Sequence, residues 1–257
     1  MKRGLAYLGL GLGMYLVFLV TTLPAPWAYS WAQTRLGGVV LSGLSGSVWD
    51  GRAVTAQLGQ TRLEKFHWQL NPWALLFGRL GADLEFAYRD EPAALSVSRG
   101  FGGRWHFSDV ALRMPARALE SWLRLPAAEL SGVLDVQLDK LVIDQGRITT
   151  AQGVMAWNNA AVVKPVTADL GGFTVTLDNA DEGIKGVLKD QGGAVQADGV
   201  LNLKPDGNYD FTGTLVSGDP RQPAIAQGVQ LFGQPGGDGR VKLSIQGALP
   251  LLLPGAG

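Results

Sequence analysis

Cysteine is absent from this chain of 257 residues, and charged residues are scarce. The absence of thiols excludes disulfides, cysteine-type zinc or iron–sulfur centres and thiolate catalysis. Only 17% of the residues are charged, and the 22 basic residues balance the 22 acidic ones. Because no net charge remains to attract a polyanion, the composition argues against a nucleic-acid partner.

Histidine is almost as scarce, with His67 and His106 as its two occurrences. Together with Asp109 or Glu64 they would form a metal site if their strands paired. A half-buried histidine on an ordinary strand is the simpler interpretation of each. The Gly-x-Ser-x-Gly elbow that presents a nucleophilic serine is missing as well. We therefore expect no enzymatic activity, no catalytic residue, no cofactor and no bound metal.

Two further segments resemble ligand-binding loops only in composition. The glycine-rich stretch 100–105 is not followed by a helix whose N-terminus would supply donors to a phosphate. An acidic stretch lacks the ligand spacing of a calcium loop. Its members are Asp178, Asn179, Asp181 and Glu182. Both segments are predicted to be turns between strands.

The N-terminal segment predicts a single membrane crossing. Residues 4–23 carry no charged side chain, and Lys2 and Arg3 precede them. Twenty helical residues span about 30 Å, which is the thickness of the hydrocarbon core of a bilayer. Because basic residues favour the cytoplasmic side, residues 1–3 are predicted to be a cytoplasmic tip and 4–23 an uncleaved signal anchor in the bacterial inner membrane. The remaining chain would then lie in the periplasm.

Aromatic residues follow the predicted anchor. Trp27, Tyr29 and Trp31 lie in the predicted juxtamembrane linker 24–38, where they are expected to form a belt at the membrane interface. Gly9 and Gly13 form a Gly-x-x-x-Gly spacing inside the anchor, which is a weak signal of helix–helix contact.

Beyond residue 35 the dominant pattern is the alternation of apolar and polar residues. It is clear in segments 83–89, 134–139, 195–203, 209–215 and 241–246. Such alternation is typical of strands buried on one face. Turn sequences separate these segments, so the chain is predicted to be mainly β, with a curved antiparallel sheet. The apolar face would form either a closed core, with the sheet folded on itself, or an open hydrophobic groove. Short helices are predicted at 115–125 and 219–233, and 71–80 is predicted to be either another helical turn or a bend between strands.

A weak internal repeat indicates two related halves. "GSVWDGRAV" at 46–54 and "GVMAWNNAAV" at 153–162 share glycine, tryptophan and alanine in the same order. The first half is predicted at 39–128 and the second at 129–257. Several residues are predicted to be packing marks rather than binding residues. They are Trp49, Gly51, Trp68, Trp73, Trp157, Gly199, Gly207 and Tyr209. Replacing Trp49 by alanine is expected to destabilise the protein by about 3–5 kcal/mol through a core cavity.

Several stretches resemble the type II secretion system protein N family. The pattern with Trp68, Leu70, Leu75 and Leu76, and the run from Gly199 to Tyr209, are its most specific elements. The resemblance extends over residues 4 to 249 and is shared more distantly with AsmA-like and TamB-like envelope proteins. In order along the chain, the stretches are "LSGLSGSVWDGRA", "FHWQLNPWALLFGRLGADL", "GVMAWNNAA" and "GGAVQADGVLNLKPDGNYDFTGTL".

This resemblance implies an accessory component of the machinery that exports folded proteins, without catalytic residues. Its partners would be the inner membrane, through residues 4–23, and other secretion-system proteins. An alternative is a lipid-handling protein in which a hydrophobic groove shields acyl chains, so a lipid partner also stays open.

Overall fold

The computed structural model describes residues 2–33, 38–59, 61–72, 74, 78–100, 102–118, 129–164, 167–217 and 240–249. Two compact units are present, Met1–Pro92 and Ala93–Gly257. The predicted halves with a boundary at 128 stay a prediction. The predicted helix at 219–233 lies outside the described residues, and the one at 115–125 is described only as far as Ala118.

The first unit begins with two helices. Helix α1 extends from Lys2 to Thr21 and helix α2 from Ala25 to Ala32. Pro24 separates them in an extended conformation, with φ −67° and ψ 134°. A proline lacks the amide hydrogen that a continuous helix would need, so the helix is interrupted at this position. Among the described residues, no helix meets the length and apolarity expected of a membrane-crossing segment.

Five strands follow in the first unit. They are β1 (Val39–Ser42), β2 (Ser45–Gly46), β3 (Asp50–Leu58), β4 (Thr61–Leu70) and β5 (Arg79–Tyr88). The order across the sheet is β1-β3-β4-β5, with β2 paired beside β1 on β3, and β3 pairs antiparallel with β1, β2 and β4, as does β4 with β5. In the predicted helix or bend at 71–80, the amide of Ala74 donates to the Asn71 carbonyl at 3.2 Å, and β5 begins at Arg79.

The second unit is an antiparallel meander in which each strand pairs with the next along the chain. Its strands are β6 (Glu91–Gly100), β7 (Trp105–Pro115), β8 (Glu129–Asp144), β9 (Arg147–Lys164), β10 (Ala168–Ala180), β11 (Gly183–Asp190), β12 (Val195–Leu203), β13 (Asn208–Ser217) and β14 (Val241–Ala248). The prediction of a mainly β, antiparallel fold with few helices is confirmed.

The longest strands of this unit are interrupted by bulges. The β8–β9 pair shifts register at four places, one of them between Leu138 and Lys140. Beside that shift lies Gly153, whose φ is 145° and where an added Cβ would lie 2.3 Å from the Gln137 carbonyl oxygen. Only glycine fits here, and a bulge of this kind bends the strand and increases its twist.

Buried side chains are few and mostly small. Among the described residues, Val241 is the largest that is fully buried. Two buried clusters lie within the second unit, one around Val195 and Val241, the other around Ala151, Ile184 and Leu203. Between these clusters the wide sheet carries larger apolar side chains that are only half-buried, and these form the surface described next.

Candidate interaction surface

A row of apolar side chains crosses five strands of the second unit, since directly paired residues of antiparallel strands point to the same face. Leu112 pairs with Val136, Val136 with Met155, Met155 with Val175, and Val175 with Leu188. The row is about 19 Å long at the usual spacing of strands. All five side chains are half-buried.

Parallel rows on either side extend this surface. Trp157 pairs with Phe173, and their ring centroids are 6.1 Å apart. The Trp157 indole nitrogen donates to the Ser131 carbonyl at 2.9 Å, which satisfies its polar group. The apolar face is defined here as Val110, Leu112, Met114, Leu134, Val136, Leu138, Met155, Trp157, Phe173, Val175, Leu177, Leu188, Leu201, Phe211, Leu215, Leu243 and Ile245.

Glycines on part of this face leave room for aromatic rings to lie flat against the sheet. An added Cβ at Gly199 would lie 2.5 Å from Phe211 Cζ, and one at Gly247 would lie 2.7 Å from the Tyr209 hydroxyl. The aromatic rings therefore lie across neighbouring glycines instead of standing away from the sheet. Gly207 occupies the turn between β12 and β13 with a φ of 89°. The predicted packing marks Gly199, Gly207 and Tyr209 thus meet neighbouring backbone or ring atoms here.

The opposite face of the same strands is mostly polar, although Val154, Val187 and Val200 also lie on it. Asn158 donates to Asp135 at 2.6 Å, and Asn202 donates to Asp210 at 2.8 Å. Thr176 lies on this face of β10 and is exposed. The defined members of the apolar face are half-buried or exposed, whereas Val195, Leu203 and Val241, on the same side of their strands, are buried. A half-exposed apolar surface on one side of a sheet is a feature of interaction sites.

A second feature joins the helices of the first unit to its sheet. The Trp49 indole nitrogen donates to the Val20 carbonyl near the end of α1 at 2.7 Å. The Val48 amide donates to the Leu23 carbonyl at 2.9 Å, and Ser47 forms an isolated bridge with Pro24. We call residues 47–49 and 20–24 the helix–sheet clasp. It adds the Trp49 indole as a donor to the Val20 carbonyl, which also accepts from the Leu23 amide at 3.5 Å, and it supplies the Val48 amide as a donor to the Leu23 carbonyl just beyond α1.

The clasp is held on the sheet by a second tryptophan. Trp68 on β4 donates to the Val48 carbonyl at 2.9 Å. Its ring covers Gly51, where an added Cβ would lie 2.1 Å from Trp68 Cζ2. Three of the predicted packing marks, Trp49, Gly51 and Trp68, therefore meet in one place. Trp49 itself is half-buried. Trp73, a fourth predicted mark, lies outside the described residues.

Tyr29 of the predicted aromatic belt contacts the sheet. Its hydroxyl donates to the Val39 carbonyl at 3.1 Å and accepts from the Leu41 amide at 3.0 Å. One phenol thus occupies the place that a neighbouring strand would take at the edge of β1. Trp27 and Trp31 are 55% and 75% exposed, with ring centroids 5.3 Å apart.

The two histidines lie on different strands. His67 on β4 contacts Asp50 at 2.9 Å through Nε2 and Glu85 at 3.6 Å through Nδ1, so a carboxylate lies beside each ring nitrogen. His106 on β7 is exposed and pairs with Ser98 and Val142. Within the described part of the chain, no group of three histidine or acidic side chains could hold a metal ion.

The segments that resembled ligand loops lie at hairpin ends: Asp181 and Glu182 form the turn between β10 and β11, whereas Asp178 and Asn179 belong to the end of β10. Asn179 accepts from the Ala151 amide at 3.2 Å, and the neighbouring Asp178 accepts from the Asn179 amide at 2.8 Å. In the stretch 100–105, the Gly103 amide donates to Gly100, and Arg104 pairs with Asp144 at 2.8 Å. These groups are occupied by contacts that hold the hairpins together.

Two carboxyl groups at strand ends have a lowered pKa. A hydrogen bond from Lys164, at 2.8 Å, lowers the pKa of Glu129 at the start of β8. The backbone amide of Asn208 lowers the pKa of Asp206 in the turn before β13. Each of these hydrogen bonds favours the charged form of the carboxyl group that accepts it, and each stabilises the local structure.

The fold defines a class of protein: N-terminal helices followed by antiparallel strands, with the helix–sheet clasp in the first unit and a half-exposed apolar face in the second. The model of the family described as type II secretion system (T2SS), protein N matches residues 37–244. The chain belongs to this family, as the sequence resemblance predicted. No solved structure matches the chain.

Three relatives named type II secretion system protein N show the extent of the similarity. The chain is 30% identical over 257 residues to the protein of Aeromonas hydrophila, covering 97% of this chain and 100% of the relative. It is 28% identical over 255 residues to that of Vibrio cholerae, with coverage of 97% and 100%. It is 25% identical over 239 residues to that of Pectobacterium carotovorum, with coverage of 90% and 88%.

Proposed function

We propose that this chain is a non-enzymatic accessory component of a type II secretion system, which binds other secretion-system proteins through its β body. Membership of the protein N family supports the system, and the half-exposed apolar face supports the mode of action. These apolar side chains are only half-covered by the described part of the protein. Binding of a partner that covers them removes apolar surface from water and is therefore favourable. The apolar face is the single observation that carries this proposal.

The proposal includes an inner-membrane location, with α1 crossing the bilayer and the β body in the periplasm. Residues 4–23 carry no charge and follow two basic residues. Large apolar side chains on α1 are highly exposed, among them Met14 at 70% and Phe18 at 63%. A bilayer would cover such side chains, and the exposed Trp27 and Trp31 would lie at its interface.

Two substitutions on β10 test the binding surface. Val175 belongs to the apolar face, whereas the next residue, Thr176, points to the polar face. Val175→Glu should abolish co-purification of secretion-system proteins from detergent-solubilised membranes of a secreting strain, because binding would bury the new charge. Thr176→Glu adds the same charge on the other face and should leave co-purification unchanged.

The thermal unfolding of both variants is followed by circular dichroism, so that loss of binding is distinguished from loss of the fold. Wild-type protein that recovers no secretion component, or a folded Val175→Glu variant that binds as well as wild type, would contradict the proposal.

Lipid handling is a second candidate function, favoured by the same apolar row across β7 to β11. A row about 19 Å long on a half-exposed sheet is comparable in length to an acyl chain. Native mass spectrometry of the detergent-solubilised protein tests this function. Lipid should remain bound to wild type and be lost from Val175→Glu; a lipid-free wild type would remove this candidate.

A further inference from the structure

The two outermost strands of the sheet, β1 and β14, differ in what contacts their outer edges. At β1, the Tyr29 hydroxyl occupies the outer Val39 carbonyl and Leu41 amide. At β14, the last strand in the order, β13 is the one neighbour found among the described residues. Strand β14 contains no proline and a single charged residue, Lys242. Edge strands usually carry prolines or several charged residues, which prevent pairing with another chain. Strand β14 has no proline and one charge, so its edge is poorly protected against such pairing.

We propose that β14 pairs with β14 of a second copy of this chain, antiparallel and with Ser244 at the two-fold axis. This arrangement is isologous, because each strand presents the same edge to the other. It follows from the sequence of the strand and does not depend on the proposed role in secretion.

The sequence of β14 is self-complementary in this register. Leu243 and Ile245 belong to the apolar face, whereas Lys242, Ser244 and Gln246 point to the other face. With Ser244 opposite Ser244 of the second copy, Leu243 lies opposite Ile245 and Lys242 lies opposite Gln246. Apolar residues then meet apolar residues, and no like charges oppose each other. A slip by one residue would place apolar against polar side chains.

The second copy is favoured over an unrelated strand because it also continues the apolar face. Phe211 pairs with Ile245 and Gly213 with Leu243, so the face extends to the margin of β14. Ile245 is 48% exposed there. Pairing about the two-fold axis would join the apolar faces of both copies and cover Ile245 with Leu243 of the second copy.

Disulfide trapping tests this pairing in the full-length chain, which contains no cysteine of its own. Paired Cα atoms of neighbouring strands are about 4.5–5.5 Å apart, within the range of a disulfide. Ser244→Cys in detergent-solubilised protein should therefore give a covalent dimer, with twice the 27.3 kDa of the chain, after mild oxidation. Thr212→Cys is the control, because Thr212 lies opposite Ser244 on β13 and on the same face. Its two copies would be three strand spacings apart, about 14 Å, and should not cross-link.

A charge provides an independent measurement. We expect the wild type to sediment as a dimer; Ser244→Glu would place two carboxylates opposite each other at the axis, so this variant should sediment as a monomer. Thr212→Glu adds the same charge one strand further in and should leave the dimer intact. Failure of Ser244→Cys to cross-link faster than Thr212→Cys overturns the proposal, as does a monomeric wild type or a dimer that survives Ser244→Glu. A cross-linked product of any other mass assigns the edge to a different partner and overturns it too.

Discussion

Trp49 both packs its half-buried ring and donates a hydrogen bond to a distant carbonyl, and its sequence context does not distinguish these two roles. The glycines around it indicate packing, and the ring is half-buried. Its indole N–H, however, donates to Val20, which is 29 residues away. A sequence pattern reports the spacing of neighbours along a strand and contains no information on a partner at that distance.

The hydrogen bond of Trp49 can be measured apart from its ring. Trp49→Phe keeps an aromatic ring but removes the donor, so we expect the free energy of unfolding to fall by about 1 kcal/mol. Trp49→Ala also removes the ring; half-burial places the cost at about 2–3 kcal/mol, below the range for a fully buried tryptophan. Denaturant unfolding of the solubilised protein measures both values.

Trp31→Phe is the matched control for this substitution, since Trp31 is 75% exposed. It should leave the stability unchanged. Equal losses from Trp49→Phe and Trp31→Phe would show that the hydrogen bond of Trp49 contributes nothing.

Gly51 is required by the ring above it. Gly51→Ala would place a Cβ 2.1 Å from Trp68 Cζ2 and 2.7 Å from the Ser47 carbonyl oxygen, so the ring and the clasp must move. We expect a loss of about 1–3 kcal/mol in the free energy of unfolding. At Gly100 an added Cβ would meet nothing within 4 Å, so Gly100→Ala is the control and should be close to neutral. A Gly51→Ala variant as stable as Gly100→Ala would contradict the packing described here.

At the scale of elements, the edge of β1 depends on a single phenol. Tyr29→Phe removes the hydroxyl that joins the Val39 carbonyl to the Leu41 amide. We expect the Leu41 amide to lose its protection against hydrogen exchange, and the stability to fall by about 1–2 kcal/mol for two hydrogen bonds. Hydrogen exchange measured by mass spectrometry over β1 is the test.

Tyr7 provides the control for this prediction, because it lies on α1 and is 73% exposed. Tyr7→Phe should not change exchange in β1. Unchanged protection of Leu41 in Tyr29→Phe would show that another group occupies this edge.

The elements themselves were largely predictable, because alternation with period two is a local property. Segments 195–203 and 209–215 were expected to be strands, and they lie in β12 and β13. The role of Tyr29 was not predictable, because an aromatic residue after an apolar run reads the same whether it faces lipid or an edge strand. The alternation also shows which residues share a face but not what covers that face. The half-burial of the apolar face therefore appears only in three dimensions.

At the scale of the whole molecule, the proposed topology fixes which parts of the chain lie on each side of the membrane. Moving a β body with 14 described strands through the bilayer would expose many polar groups to hydrocarbon, so a single orientation should be populated. The absence of cysteine allows this to be measured with single-cysteine variants of the full chain. A membrane-impermeant maleimide applied to spheroplasts should label Thr176→Cys. A cysteine inserted between Met1 and Lys2, which keeps both basic residues, should be labelled only after the membrane is permeabilised. Labelling of both positions, or of neither, in intact spheroplasts would contradict a cytoplasmic N-terminus with a periplasmic β body.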